Sequence, residues 1–547
     1  MRASGIVKQP DTGGLNNMSA REYDVVIVGA GFAGMYLLHR VRRLGMSVRV
    51  LEQGSDVGGT WYWNRYPGAR CDVESMQYSY QFDDDLQQEW HWPERYSAQP
   101  DILKYAQHVA DRFDLRKDID FEMRLASARF DEESAIWTLK AEDDTVTMAR
   151  FFVMATGCLS APNWPKIEGL KSFAGPTYHT ALWPHEKVVF SGQRVAVIGT
   201  GSSAIQSIPH IAREATHLTV FQRTPNYAIP AHNREMDPEL EKEIKTHYPT
   251  MRARAKTTPG GLDVVYNQDS IHDAAPDERN SAFERNWQRG GLGFMSAYGD
   301  LMVDQSANEI AAEFVRNKIR ERVKDPETAE RLCPRNVIGA KRLCVDIDYY
   351  ETFNRDNIEL VDVGAAPIEK ITPEGVRAHG RLYEVDALII ATGFDAMTGA
   401  LTRVDIRGRD DASLAERWKD GPSTYLGLAM HEFPNLFTVT GPGSPSVFSN
   451  MLPTIEQHVD WIADCLGHAK SQGYKTVEAE ANAEQDWWAH CQELGNIGLK
   501  TVTDSWYVGA NVSGKARVFL PYFGGIPAYF KKCEEVVENG YEGFAFR

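Results

Sequence analysis

Two glycine-rich turns carry the plainest chemistry in this sequence. Gly29-Ala30-Gly31-Phe32-Ala33-Gly34 has the spacing G-x-G-x-x-G, and Gly199-Thr200-Gly201-Ser202-Ser203-Ala204 the spacing G-x-G-x-x-A. Glycines so placed let a backbone approach a pyrophosphate, and a helix starting in the turn offers N–H donors and the positive end of its dipole. Each turn is followed, at nearly the same distance, by a charged residue of a different sign. Glu52 lies 23 residues after Gly29, and Arg223 lies 24 residues after Gly199. A carboxylate there accepts hydrogen bonds from ribose hydroxyls, whereas an arginine attracts a 2′-phosphate that a carboxylate would repel. The first turn therefore suits FAD and the second NADP rather than NAD; the bland alternative for Arg223 is a solvated surface arginine. The seven cysteines are scattered and form no C-x-x-C pair. That argues against a disulfide framework, a zinc or other metal site, or the redox pair of a disulfide reductase. What stays open is NADPH oxidation coupled to oxygen or to another acceptor.

Each turn needs a strand before it and a helix after it. Val25-Val26-Ile27-Val28 and Arg194-Val195-Ala196-Val197-Ile198 are short, β-branched and apolar, as buried parallel strands are. Val48–Leu51 and Leu218–Phe221 read as the second strands, ending at Glu52 and at Gln222-Arg223-Thr224. Two apolar runs, Phe151–Met154 and Ala387–Ile390, each end in Ala-Thr-Gly. They mark places where the chain passes between two nucleotide units. The expected class is α/β, with two Rossmann-like dinucleotide-binding domains and a helical insertion. The expected FAD domain is 21–155 with 388–547, and the NADP domain is 156–230 with 335–387. Between 231 and 334 the pattern turns charged and helical, with Ser306-Ala307-Asn308-Glu309 read as a capping box. A further strand, Leu436–Val439, leads through Thr440–Ser444 to a helix expected from about Asn450, its N-terminus aimed at the flavin pyrimidine. Ser446, Val447 and Phe448 would then shape a substrate pocket.

With 547 residues, 43% hydrophobic and 25% charged, the chain is an ordinary globular protein of two or three domains. Its net charge of −17 argues against nucleic-acid and membrane-surface partners. Residues 1–20 read as a loose polar tail with no signal-peptide core. No run of apolar residues is long enough to span a bilayer. Together with the cysteine usage, this predicts a reducing, cytoplasmic setting. Oligomeric state is left open; a monomer fits.

Further motifs narrow the reaction. Phe173-Ala174-Gly175-Pro176-Thr177-Tyr178-His179-Thr180-Ala181-Leu182-Trp183-Pro184 reads F-x-G-x-x-x-H-x-x-x-W-P. Gly59-Thr60-Trp61-Tyr62-Trp63-Asn64-Arg65-Tyr66-Pro67-Gly68-Ala69-Arg70-Cys71-Asp72, Gly339-Ala340-Lys341-Arg342 and Ser505-Trp506-Tyr507-Val508-Gly509-Ala510-Asn511 follow the same family's order. The chain resembles the type I Baeyer–Villiger monooxygenases from about Asp24 to its C-terminus, most closely the branch acting on phenylacetone, steroid and large cyclic ketones.

That resemblance implies an NADPH- and O2-dependent enzyme that turns ketones into esters or lactones through a C4a-peroxyflavin and a tetrahedral adduct. Arg342 would hold the developing negative charge, and Asp72 would pair with it. Lys341 would join Arg223 on the 2′-phosphate, and Trp506 would close over the nicotinamide ribose and border the substrate. The expected cofactor contacts are the two turns with Glu52, Gly59, Thr60, Trp61, Arg70, Asp72, Tyr78, Leu125, Gln206, Arg223, Thr224, Lys341, Arg342, Met451 and Trp506. His179 is read as structural or domain-coupling rather than as a proton-transfer group, and Trp183 as packing. Ser513 and Ala516 stand where the family often has prolines, which predicts a more mobile loop around Trp506. Rival readings are a flavin monooxygenase oxidising amines or sulfides, and a sensor that binds both cofactors without turnover.

Overall fold

The computed structural model describes residues 21–547; the expected tail, 1–20, lies outside the described residues. The first unit is built on a sheet with the order Asp405–Arg407, Leu125–Asp131, Ile136–Ala141, Val146–Met154, Arg21–Val28, Val48–Leu51, Ile119–Asp120. At its centre, Val28 sits beside Leu51 on one side and Met154 on the other, both in parallel register. Val25, Val26 and Ile27 are fully buried, as a strand covered on both faces requires. Leu436–Thr438 pairs with Phe152–Met154, so the C-terminal part of the chain returns to this sheet.

The second unit is a parallel sheet with the order Ile358–Asp362, His217–Gln222, Arg194–Ile198, Ala387–Ile390, Thr177–His179. The expected boundary between 387 and 388 is corrected by this pairing. It falls inside the strand Ala387–Ile390, whose residues pair with Val195–Ile198 as one piece. Hydrogen-bonding both of its edges within the second sheet costs less than dividing a four-residue strand between two sheets.

The insertion is helical, but it does not belong to the second unit alone. Helices Pro238–Thr246 and Tyr248–Lys256 lean on the first unit: Tyr248 joins its core, and Arg252 donates to Gln77 O (3.1 Å) and Ser79 Oγ (2.7 Å). Helices Pro276–Arg289 and Gln305–Arg322 pack into the second core through Phe283, Trp287, Val315 and Ile319. The expected capping box is also corrected. Asp304 is the N-cap, accepting from Ala307 N (2.8 Å) and Ser306 Oγ (2.6 Å), while Glu309 pairs with Arg316. A carboxylate outcompetes the Ser306 hydroxyl as acceptor at a helix start.

Two helices of the first unit lie side by side. Tyr36 donates to Asp460 Oδ1 (2.7 Å), Arg40 to Asp464 Oδ1 (3.0 Å), and Lys470 reaches Leu44 O (3.1 Å). The partners advance together, so Phe32–Arg43 and Met451–Gln472 are parallel and their N-termini open on the same side.

Candidate active site

The glycine turns are built alike. Gly29 N donates to Leu51 O (2.8 Å) and Ala155 N to Val28 O (2.9 Å); Gly199 N donates to Phe221 O (3.0 Å) and Ala391 N to Ile198 O (2.9 Å). The Ala-Thr-Gly segments thus cross directly beside the turns. A Cβ on Gly29 would lie 2.7 Å from Ala155 O, and one on Gly199 would lie 2.5 Å from Ala391 O. Both glycines also have left-handed φ, +104° and +113°. Helices Phe32–Arg43 and Ser202–Glu214 start on Gly31 and Gly201 with no side-chain cap and no acidic residue in the first turn. Their leading N–H groups are therefore available to an anion.

The residues present fit FAD at the first turn. Gly31 and Gly59 approach so closely that a Cβ on Gly59 would lie 2.8 Å from Gly31 Cα. Glu52 is buried and accepts from Ala30 N (2.6 Å) and Gly54 N (2.7 Å). Burial pushes its pKa up, and these two donors pull it back. Trp61 Nε1 donates to Tyr78 OH (3.1 Å), and Phe32 meets Tyr78 edge-on at 6.0 Å. Thr60 opens the short helix Thr60–Trp63, and Arg70 is held by Glu94 (2.7 Å). Leu125 is buried beside Leu51 and Val28 at a register shift of its strand. Met451 packs against both the first unit's core and the aromatic cluster around Trp506.

At the second turn, two cations face each other. Lys341 is pushed below its usual value by burial and by the neighbouring Arg223, which is itself exposed. Asp504 acts on Lys341 as well, but forms no ion pair with it; two like charges gathered in this way fit a 2′-phosphate. Thr200 Oγ1 donates to Thr224 O (2.9 Å), closing the turn on the strand end. Ser202 Oγ lies 3.2 Å from Cys344 Sγ, and Ser203 reaches the Tyr66 hydroxyl. Gln206, on the helix after this turn, accepts from Tyr66 OH (2.8 Å) and donates to Arg70 O (3.1 Å) and Asp72 Oδ1 (3.2 Å). It ties the second unit to the first.

Asp72 and Arg342 meet where the two units meet. Arg342 Nε donates to Asp72 Oδ2 (3.1 Å) and Nη1 to Val447 O (3.4 Å). Asp72 is buried; the Arg342 side chain keeps 31% of its surface exposed, so its remaining donors reach the cleft. Burial opposes both charges, but each partner offsets it: Arg342 pulls the Asp72 carboxyl back down, and Asp72 holds the guanidinium above its ordinary range.

Beside this pair lies an aromatic cluster of Val447, Phe448, Trp506, Tyr507, Phe519 and Phe523. Phe448 packs on Tyr507 at 4.4 Å, and Trp506 on Tyr507 at 4.2 Å. Ser446 departs from the expected pocket role: it is fully buried and its hydroxyl turns to Met397 Sδ (3.8 Å). The Trp506 loop is tied down despite Ser513 and Ala516. Asn511 donates to Phe394 O (2.6 Å) and Lys515 to Asp395 Oδ1 (2.7 Å). His179 connects here as well. Its ring is buried and held neutral, and it contacts Asn163 O (3.4 Å), while Asn163 Nδ2 donates to Asn511 O (2.9 Å). Trp183 is packed between Tyr178 and Phe190. The sequence reading missed Lys500, whose ammonium donates to Gly339 O (2.5 Å) and lies 4.8 Å from the Phe448 ring centroid. A lone lysine outside every motif gives no signal in one dimension.

A family model described as pyridine nucleotide-disulphide oxidoreductase matches residues 26–270. A Baeyer–Villiger monooxygenase from Pseudooceanicola batsensis is 40% identical, with 95% of each chain covered. The chain belongs to the Baeyer–Villiger monooxygenase family. Phenazine N-monooxygenase from Lysobacter antibioticus is also 40% identical, over 95% of this chain and 96% of that one. A solved steroid monooxygenase bound to NADP is 48% identical with a TM-score of 0.92, covering 96% of this chain and 99% of its own. A relative solved with FAD and NADP is 39% identical with a TM-score of 0.93, covering 97% and 100%. As a member of the family, the chain is an FAD- and NADPH-dependent oxidoreductase with two dinucleotide-binding units. All seven cysteines are free and buried. No helix among the described residues is long and apolar enough to cross a membrane.

Proposed function

We propose that this Baeyer–Villiger monooxygenase oxidises aryl, cyclic or steroid-like ketones to esters or lactones, with FAD on the Gly29 turn and NADPH on the Gly199 turn. The observation that carries the reading is the Arg342–Asp72 pair at the junction of both units, beside an aromatic pocket. FAD, when bound, supplies electron acceptance from NADPH and activation of O2. Arg342 keeps donors free toward the cleft, where negative charge develops on the attacked carbonyl oxygen. A guanidinium already aimed there needs no reorganisation as that charge forms. Asp72 fixes the guanidinium through Nε, and Gln206 fixes Asp72 from the second unit, so the charge is positioned only when the units are docked. Lys341 and Arg223 hold the 2′-phosphate. Trp506 closes the nicotinamide side and keeps water out. Val447 and Phe448 set the pocket's shape. The partners are the ketone and O2, and the setting is the cytoplasm, where free thiols persist.

The test is NADPH oxidation by the FAD-loaded protein in air, with phenylacetone or a cyclic ketone and product analysis. Ester or lactone should form, and Arg342→Ala should lower its rate by roughly 10²–10³-fold or more. A second reading, oxygen transfer to nitrogen or sulfur, draws on the N-monooxygenase name of the Lysobacter relative. Amine or sulfide oxidation, with only hydrogen peroxide from every ketone, would replace the first reading with the second.

A further inference from the structure

Lys500 differs from Arg342, Arg517 and Lys515, each of which has a carboxylate partner. Arg342 has Asp72, Arg517 has Asp504 (3.0 Å) and Lys515 has Asp395 (2.7 Å). Among the described residues, no carboxylate pairs with Lys500, and Arg342 is the one charge that acts on it. Its one hydrogen bond goes to Gly339 O (2.5 Å), three residues before Arg342. The ammonium lies 4.8 Å from the centroid of Phe448 and 5.7 Å from that of Tyr507, two rings of the aromatic cluster. The two cations address adjacent residues of one loop: Arg342 Nη1 donates to Val447 O and Lys500 faces the ring of Phe448. They therefore border the same aromatic cluster, which the proposed function takes as the substrate pocket. A half-buried ammonium without a counter-ion is an expensive way to anchor a loop to one carbonyl. Replacing it with an apolar side chain would suit the aromatic surroundings better, unless the charge meets something that enters.

Resting on the ketone reading above, we propose that Lys500 selects ketones that also carry a carboxylate, binding that carboxylate while the carbonyl faces Arg342. An ammonium has three N–H groups, and one is used by Gly339, so two remain for the two oxygens of a carboxylate. The aromatic walls cover the apolar spacer between the acid and the carbonyl. Burial and the Arg342 charge hold the free ammonium down to about 8, so an incoming anion also relieves the repulsion between the two cations. Arg342 is the charged group that acts on Lys500, and the Tyr507 ring lies 5.7 Å from the ammonium.

The test compares benzoylpropionate and benzoylbutyrate with their methyl esters, using the FAD-loaded, NADP⁺-bound protein. Binding is read by calorimetry, and products are analysed separately. At neutral pH at least one acid should bind about tenfold or more tightly than its ester, the range of a charge-assisted hydrogen bond. Lys500→Met should erase that ratio and Lys500→Arg should restore it, a rescue that a merely structural anchor to Gly339 would not give. The ratio should also fall as pH rises past about 8. If neither acid outbinds its ester, or if Lys500→Met keeps the preference, the proposal is overturned. Because binding and oxidation are measured apart, an acid that binds by this rule yet gives no ester faults the assigned reaction and leaves the role of Lys500 standing.

Discussion

The two nucleotide-binding units share one blueprint and differ at a few atoms. In each, the glycine turn hangs from the next strand by one hydrogen bond and lies against an Ala-Thr-Gly crossing. By that register Glu52 corresponds to Gln222, not to Arg223: Gly29 bonds to Leu51, and Gly199 to Phe221. Glu52 turns its carboxylate back onto its own turn, whereas Gln222 is buried and donates to Arg331 O (2.7 Å). The second unit has therefore removed the acid from the ribose position and placed a cation one residue further on, in the open. Third positions differ too. A Cβ on Gly34 would lie 1.8 Å from Gly29 O, while the second turn accommodates Ala204. What separates the two turns is a carboxylate in one, an arginine beside the other, and one methyl group on a common frame; the proposed FAD and NADP assignments rest on that difference.

That comparison can be broken at its glycines first. Gly29→Ala should yield protein with almost no bound flavin, because the methyl meets Ala155 O at 2.7 Å in a left-handed backbone. Gly199→Ala should keep its flavin and lose saturation by NADPH; flavin absorbance and NADPH kinetics separate the two outcomes. Next in size is Arg223→Ala. The KM for NADPH should rise roughly 10- to 100-fold, with that for NADH little changed, since about 1.5–3 kcal/mol of charged hydrogen bonding is lost only from the phosphate. Equal effects on both coenzymes would return Arg223 to the status of a surface residue. Glu52→Gln should weaken FAD by about tenfold in reconstitution titrations, since an amide cannot accept at both oxygens as the carboxylate does. The smallest effect is expected of Ala204→Gly. Affinity for NADPH should hold, and thermal stability should drop by about 1 kcal/mol for a glycine near a helix start.

Much of this was legible in one dimension because it depends on short-range geometry. The glycine turns, their strands and the helix capped by Asn450 are local patterns, and the structure carries them out. Of the misreadings at Ser306 and at the 387/388 boundary, the first was local and the second was not. Ser306 resembles a cap as much as Asp304 does, and only the hydrogen bond to Ala307 N distinguishes them. The boundary at 388 looked free because strand pairing is a contact between distant residues. His179 is read as structural or domain-coupling; its route through Asn163 to the Trp506 loop, across more than three hundred residues of sequence, is something no local pattern records.

The sequence by itself determined the two cofactor frames, since glycine at a left-handed turn and a charge at a fixed offset act through the backbone of one βαβ unit. Only the tertiary structure decided the rest. Asp72 and Arg342 stand 270 positions apart, and Lys500 is joined to Gly339 across 161. Which charges find partners, and which are left facing an opening, is settled by packing between elements, and no local pattern records it.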